Sequence, residues 1–399
     1  MFKAIKNLGP ATLVAAAFVG PGTVTVCAAA GITFGYGLLW ALLVSVVMTI
    51  LLQEMAVRIG IVTQKDLAQL LHDHTKNSIL KIGITGLILA AIVVGNAAYE
   101  AGNMNGAVLG LQAIFGDEFA GFYPIVVGGT AFSLLFFGNI QQLSRILIGL
   151  VLLMSLSFVT TALLTGPSLL QLAKGFFLPK VNSENLFTII ALVGTTVVPY
   201  NLFLHASLAK ERWKDSSGLA AAKTDTIVAI GLGGLVSMAI VVSAAAIPST
   251  QLNSVIDVAS GLEPLYGSAA KYLIGLGLFG AGITSAVTAP LAAAYVANSC
   301  FNWNVATSHW KFKAVWMLVM GVGVLSLGSS FKPIAVIQFA QIANGLLLPI
   351  LVGTLIWVST SNTILGNHKN SWSQNTAYLL IFVFSLALSI KTFIKLLGW

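Results

Sequence analysis

Charge is scarce in this chain. Only 8% of its 399 residues are Asp, Glu, Lys or Arg, too few to cover the surface of a water-soluble molecule of this length. Acidic residues are the scarcer sign, 12 against 20 basic, and their dispersal speaks against paired-carboxylate chemistry. The two cysteines, Cys27 and Cys300, fall within or at the end of apolar segments and offer neither a disulfide framework nor a metal motif. No G-x-S-x-G, H-E-x-x-H, phosphate-binding G-x-x-x-x-G-K or C-x-x-C pattern occurs, so an enzyme is not expected. A cleavable leader is not expected either, because the stretch 1–9 is short and basic and the apolar run after it is itself a broken helix.

What the chain has is hydrophobicity: 57% apolar residues and 39 glycines, with a mean hydropathy of +0.93. Small residues permit close helix approach in a membrane. The expectation is an all-α polytopic membrane protein. Eleven stretches are long enough to cross a hydrocarbon core of ~30 Å: 11–34, 36–59, 80–113, 121–138, 143–165, 186–209, 224–247, 267–299, 313–329, 333–358 and 375–397. Short connections predict a single transmembrane domain over 1–399, with one repeat at about 9–166, a second, inverted, at about 186–358, and an extra helix at about 375–397. An N-terminus in the cytoplasm places 14 of the 20 basic residues on the inner side, the bias that sets orientation in membranes. The C-terminus is then outside, and the net charge of +8 is a topology signal rather than a nucleic-acid footprint.

Two of the apolar stretches are interrupted at corresponding places. Gly20-Pro21-Gly22-Thr23 breaks the first span, and Gly194-Thr195-Thr196-Val197-Val198-Pro199-Tyr200-Asn201 breaks the sixth. Unwound backbone survives in lipid only where it lines a cavity or is buried in protein. A matched pair of interrupted helices points to the substrate site of an inverted-repeat transporter. Neither break carries a carboxylate, thioether, thiol or imidazole.

Several segments resemble the NRAMP metal transporters. They are Leu51 to Ala68 at the end of span two, the frame from Gly9-Pro10 to Pro21-Gly22 in span one, and Val197 to His205 in span six. Leu147 to Val151 and Ala340-Gln341 fit as well. The resemblance implies two inverted five-helix repeats, broken helices 1 and 6, and alternating access. It also exposes departures. The family reads Asp-Pro-Gly-Asn where this chain has Gly20 to Thr23, and Ala-x-x-Met-Pro-His-Asn where it has Thr195 to Asn201. An acidic pair in the third helix becomes Glu100 and Asn103. None of the usual family metal ligands Asp, Asn and Met remains at Gly20, Thr23 and Val198.

A dry divalent cation needs charged oxygen or soft sulfur ligands, whereas helix N-termini favour anions. The expectation is therefore a secondary transporter of altered selectivity, a symporter carrying a small anion such as bicarbonate. The alternatives are a divalent metal ion (Mn2+ or Mg2+) transporter with a non-standard site, or an uncoupled channel-like or sensor protein. The expected substrate-binding set is Gly20, Pro21, Gly22, Thr23, Thr195, Thr196, Val198, Tyr200 and Asn201. Glu100, Asn103 and Gln341 are expected in the access pathway, Glu100 as a relay or as a structural carboxyl. His205 is either a pH-sensitive gate or a packing histidine. Thr284, Ser285 and Thr288 either hold Na+ as a coupling ion or simply back-bond within their helix. Glu54 and Arg58 read as an i,i+4 ion pair with Arg58 snorkelling. His72, Asp73 and His74 read as a solvated loop. The expected partners are a small inorganic ion or small polar substrate and the lipid bilayer of a bacterial inner membrane, with no cofactor beyond Na+, no nucleic acid and no obligate protein partner.

Overall fold

The computed structural model describes residues 19–74, 78–137, 141–247, 255–260, 262–303, 305–329 and 331–397. The start of span one, with Gly9, Pro10, Lys3 and Lys6, lies outside these residues, as does Lys76. The described chain is helical throughout: α1 (Pro21–Phe34), α2 (Leu39–Thr63), α3 (Leu67–His74), α4 (Ser78–Phe115), α5 (Tyr123–Phe137), α6 (Gln141–Leu164), α7 (Leu169–Phe177), α8 (Leu186–Thr196) and α9 (Pro199–Arg212) come first. There follow α10 (Leu219–Ala244), α11 (Val255–Ser260), α12 (Glu263–Tyr266), α13 (Ala270–Cys300), α14 (Trp310–Ser326), α15 (Pro333–Thr360), α16 (Asn362–Leu365) and α17 (Trp372–Leu396). Each expected span falls on one of these helices or, for span six, on the pair α8 and α9. Among the described residues six helical segments are long and apolar enough to cross a membrane alone, seven if the bent pair α6–α7 is one span. Length and composition alone thus do not reach the expected eleven.

Both breaks have the same local cause. The residue before a proline is pushed out of the helical region by the pyrrolidine ring, and the proline itself suits a first helical position. Gly20 is accordingly extended (φ −90°, ψ 179°) ahead of Pro21, and Val198 is extended (φ −83°, ψ 118°) ahead of Pro199. In lipid such an interruption needs protein around it. Within Leu186–Arg212, 89% of the apolar stretch is buried inside the molecule, against 28% for α17. The broken span is therefore central and α17 peripheral, with Leu379, Leu380 and Val383 exposed as a lipid-facing surface would be.

The most extensive packing is α13 against α4, followed by α15 against α4 and α8. Gly194 is one reason α8 and α15 approach so closely: a Cβ there would overlap the carbonyl of Gln341 and the amide of Gly345. One connection holds a helix of its own, and one sequence expectation needs correction. The connection 166–185 contains α7, which folds back by 118° from α6. Its Leu169, Leu170 and Phe177 stay exposed, the disposition of a helix lying in a membrane interface. Arg58 does not snorkel. It is buried, faces Glu54 Oε1 at 3.4 Å, and donates to the His368 carbonyl (3.0 Å) and Asn370 Oδ1 (2.6 Å). The last connection is thereby pinned to α2.

Candidate functional site

The two breaks meet. Thr23 Oγ1 and Thr195 Oγ1 lie 2.9 Å apart, a buried hydrogen bond between residues 172 positions apart in sequence. Gln341, in α15, closes a third side: its side-chain amide fills the space beside Gly22, and its backbone abuts Gly194. Pro21, Gly22, Thr23, Thr195 and Gln341 are all buried. The structure thus gathers Gly22, Thr23, Thr195 and Gln341 into one place.

On the other side of the second break, Val198 and Tyr200 pack with Tyr99, Leu204, Ala289 and Ala292. The Tyr99 and Tyr200 rings meet edge to face at 5.5 Å. Tyr99 precedes Glu100, which is fully buried against Gly323 of α14. Glu100 Oε2 accepts from Asn103 Nδ2 at 3.2 Å. Tyr99 and Glu100 thus bring polar groups to the far side of the second break.

Other expected residues are placed differently. Thr196 donates to the Leu192 carbonyl (2.6 Å). Thr284 donates to the carbonyls of Gly280 and Ala281, and Thr288 to that of Thr284 (2.8 Å). Their hydroxyl hydrogens stay within their own helix, the plain back-bonding alternative. Ser285 is buried without a side-chain partner. His205 is buried with Nδ1 2.9 Å from Gln53 Oε1 of α2, so it ties α9 to α2. Asp73 pairs with Lys65 at 2.7 Å, while the side chains of His72 and His74 lie outside the described residues. Among the described residues no three His, Cys, Asp or Glu side chains form a metal-ready group.

Several buried oxygens around the breaks have no hydrogen-bond partner: Gln341 Oε1, Asn201 Oδ1, Glu100 Oε1, and the hydroxyls of Tyr99 and Tyr200. Leaving such groups unmet is costly, about 1–3 kcal/mol each. Each half-helix loses one N-terminal donor to its proline. Pro21 and Pro199 have no N–H, Val24 N–H is bonded to the Gly20 carbonyl, and Asn201 N–H to that of Val198. Gln341 Oε1 and Asn201 Oδ1 can only accept, while the Tyr99 and Tyr200 hydroxyls can donate as well.

Residues 11–395 match the family described as natural resistance-associated macrophage protein-like, Nramp. The chain belongs to the Nramp family. A curated Nramp relative is the divalent metal cation transporter MntH of Klebsiella pneumoniae, 28% identical over 94% of this chain and 91% of its own length. Among solved structures, the Eremococcus coleocola manganese transporter has the same fold, with a TM-score of 0.78 at 20% identity over 96% of this chain and 85% of its own. Mhp1, a nucleobase-cation-symport-1 transporter, is similar in its inward-facing form with a TM-score of 0.54 at 15% identity, over 98% of this chain and 90% of its own.

These relatives correct the expected bicarbonate selectivity. MntH is a divalent metal cation transporter and the Eremococcus protein a manganese transporter. The physical reason is visible in the site. The expectation rested on missing carboxylates, whereas the amide oxygens Gln341 Oε1 and Asn201 Oδ1 are buried at the breaks without partners and are oxygen ligands of the kind a hard cation takes. An Nramp chain is a membrane transporter and not an enzyme, as expected.

Proposed function

We propose that this Nramp protein is a secondary transporter for a divalent metal cation in a bacterial inner membrane. The observation that carries this reading is the set of partnerless buried oxygens around the breaks, Gln341 Oε1, Asn201 Oδ1 and Glu100 Oε1 foremost. Hard divalent cations take oxygen ligands from carboxylates, carbonyls and water. The neutral oxygens do not offset two charges in a dry cavity. The ion therefore keeps part of its hydration shell. Val198 fills an apolar wall with no sulfur, which removes the soft-ligand preference for later transition metals. Mn2+ and Mg2+ are thus better matched than Cu2+ or Zn2+.

Purified protein in liposomes loaded with a metal-sensitive dye tests this. Saturable Mn2+ uptake is expected, reduced about tenfold in Gln341→Ala through loss of a ligand amide worth about 1.4 kcal/mol. Well-folded wild-type protein that moves neither Mn2+ nor Mg2+ would overturn the reading.

A further inference from the structure

A pocket lies between α9 and α13, lined in part by Asp66, Leu204, Ser207, Ala292, Tyr295 and Ser299. Leu204 and Ala292 also belong to the cluster that holds Tyr99, Val198 and Tyr200. One layer of side chains therefore separates this pocket from the second break. The pocket lies towards the end of α9 that carries Lys210 and Arg212. Its charged lining residue, among the described residues, is Asp66, which stands in the turn between α2 and α3.

Three side chains from two helices converge on that one carboxylate. Ser207 of α9 donates to Asp66 Oδ1 at 2.6 Å. Ser299 of α13 donates to Oδ2 at 3.1 Å. Lys210 Nζ, also of α9, sits 2.8 Å from Oδ1. Both members of the ion pair are about a quarter exposed, so the ion pair alone contributes little to stability.

The chemistry of the cluster is lopsided. Serine hydroxyls rotate freely and can present lone pairs instead of hydrogens. With the lysine swung away on its flexible stem, the carboxylate and two hydroxyls become an all-oxygen set of the kind a hard divalent cation takes. At equal distance a divalent ion is attracted twice as strongly as an ammonium. One carboxylate makes only a weak site, and weakness suits a pathway, where an ion must both enter and leave.

We infer that Asp66, with Ser207 and Ser299, is a second cation station on the path between the central site and the basic end of the molecule, held by Lys210 when no cation is present. This rests on the divalent-cation reading above. The two breaks themselves carry no carboxylate, so a carboxylate one layer further on draws the hydrated ion off the breaks and onto the release path.

The test is Mn2+ uptake by the full chain in liposomes, with Asp66→Asn, Asp66→Glu and Lys210→Met each checked for a monodisperse profile and a normal thermal midpoint. Asp66→Asn is expected to slow uptake about tenfold, the loss of about 1.4 kcal/mol of station affinity. Asp66→Glu restores most of it. Lys210→Met removes the competing ammonium, so the binding-competent fraction rises and uptake at limiting Mn2+ increases about twofold. A structural brace behaves otherwise, because removing either partner breaks it equally. Parallel losses in Asp66→Asn and Lys210→Met overturn the station, as does wild-type uptake in Asp66→Asn. No Mn2+ uptake by the unmodified protein overturns the transport reading, and the station with it.

Discussion

The hydrogen bond between Thr23 and Thr195 is the residue-scale fact from which the site follows. It fixes the two half-helices against each other at the point where both backbones leave the helix. A double-mutant cycle with Thr23→Val and Thr195→Val should return a coupling of about 0.5–1.5 kcal/mol in thermal stability. A coupling of zero would mean the breaks meet through packing alone. Gly20 offers a second test. Its extended backbone suits any residue, and an aspartate there can also cap α1. Gly20→Asp should tighten Mn2+ binding by calorimetry about tenfold, or about 1.4 kcal/mol. Unchanged affinity would place the ion away from the first break. At this scale the sequence was half legible. The glycines, prolines and threonines of the breaks announced themselves because they interrupt apolar runs. Asp66 and Gln53 did not, because their meaning comes from partners 141 and 152 residues away, in pairs that no local spacing encodes. The ring contact of Tyr99 with Tyr200 needed the fold.

At the scale of elements, the breaks were readable because a proline acts on its immediate neighbour. The interfacial α7 was not, since a helix of nine residues in a connection resembles any short polar–apolar mixture. Close helix contacts were equally hidden: 39 glycines say that some helices touch, not which. Gly194 and Gly129 separate the two roles. A methyl at Gly194 meets the backbone of α15, while one at Gly129 meets open space. Gly194→Ala should therefore cost about 1–3 kcal/mol by overpacking and abolish uptake, because α8 cannot move off Gln341 without shifting Thr195. Gly129→Ala should be neutral or stabilise by up to about 1 kcal/mol through helix propensity. Thermal unfolding of the two variants in one detergent checks both. Equal behaviour would mean that α8 and α15 are not in tight contact.

For the whole molecule, Lys210 and Arg212 close α9, and Lys210 there pairs with Asp66. The connections expected on the other side hold Asp117, Glu118 and Glu184, with Lys174 and Lys180. Basic short loops stay in the cytoplasm during insertion, so the Asp66 pocket should open inward and the α7–α8 connection should face outward. Fold class and family were legible from composition and from ordered motifs. Selectivity was not, because it depends on which buried atoms are left without partners, a property of the assembled site rather than of any segment. Orientation can be read directly, because the native Cys27 and Cys300 are buried and give little labelling background. Ser183→Cys lies in the α7–α8 connection and Ser216→Cys in the turn after α9, both exposed. A membrane-impermeant maleimide applied to intact cells should label Ser183→Cys and leave Ser216→Cys unmodified until lysis. The reverse pattern would turn the molecule over and make the Asp66 pocket the entry rather than the exit. Uptake through Asp66→Asn would then fall at low outside Mn2+ and recover at saturation, whereas an exit station slows the maximal rate.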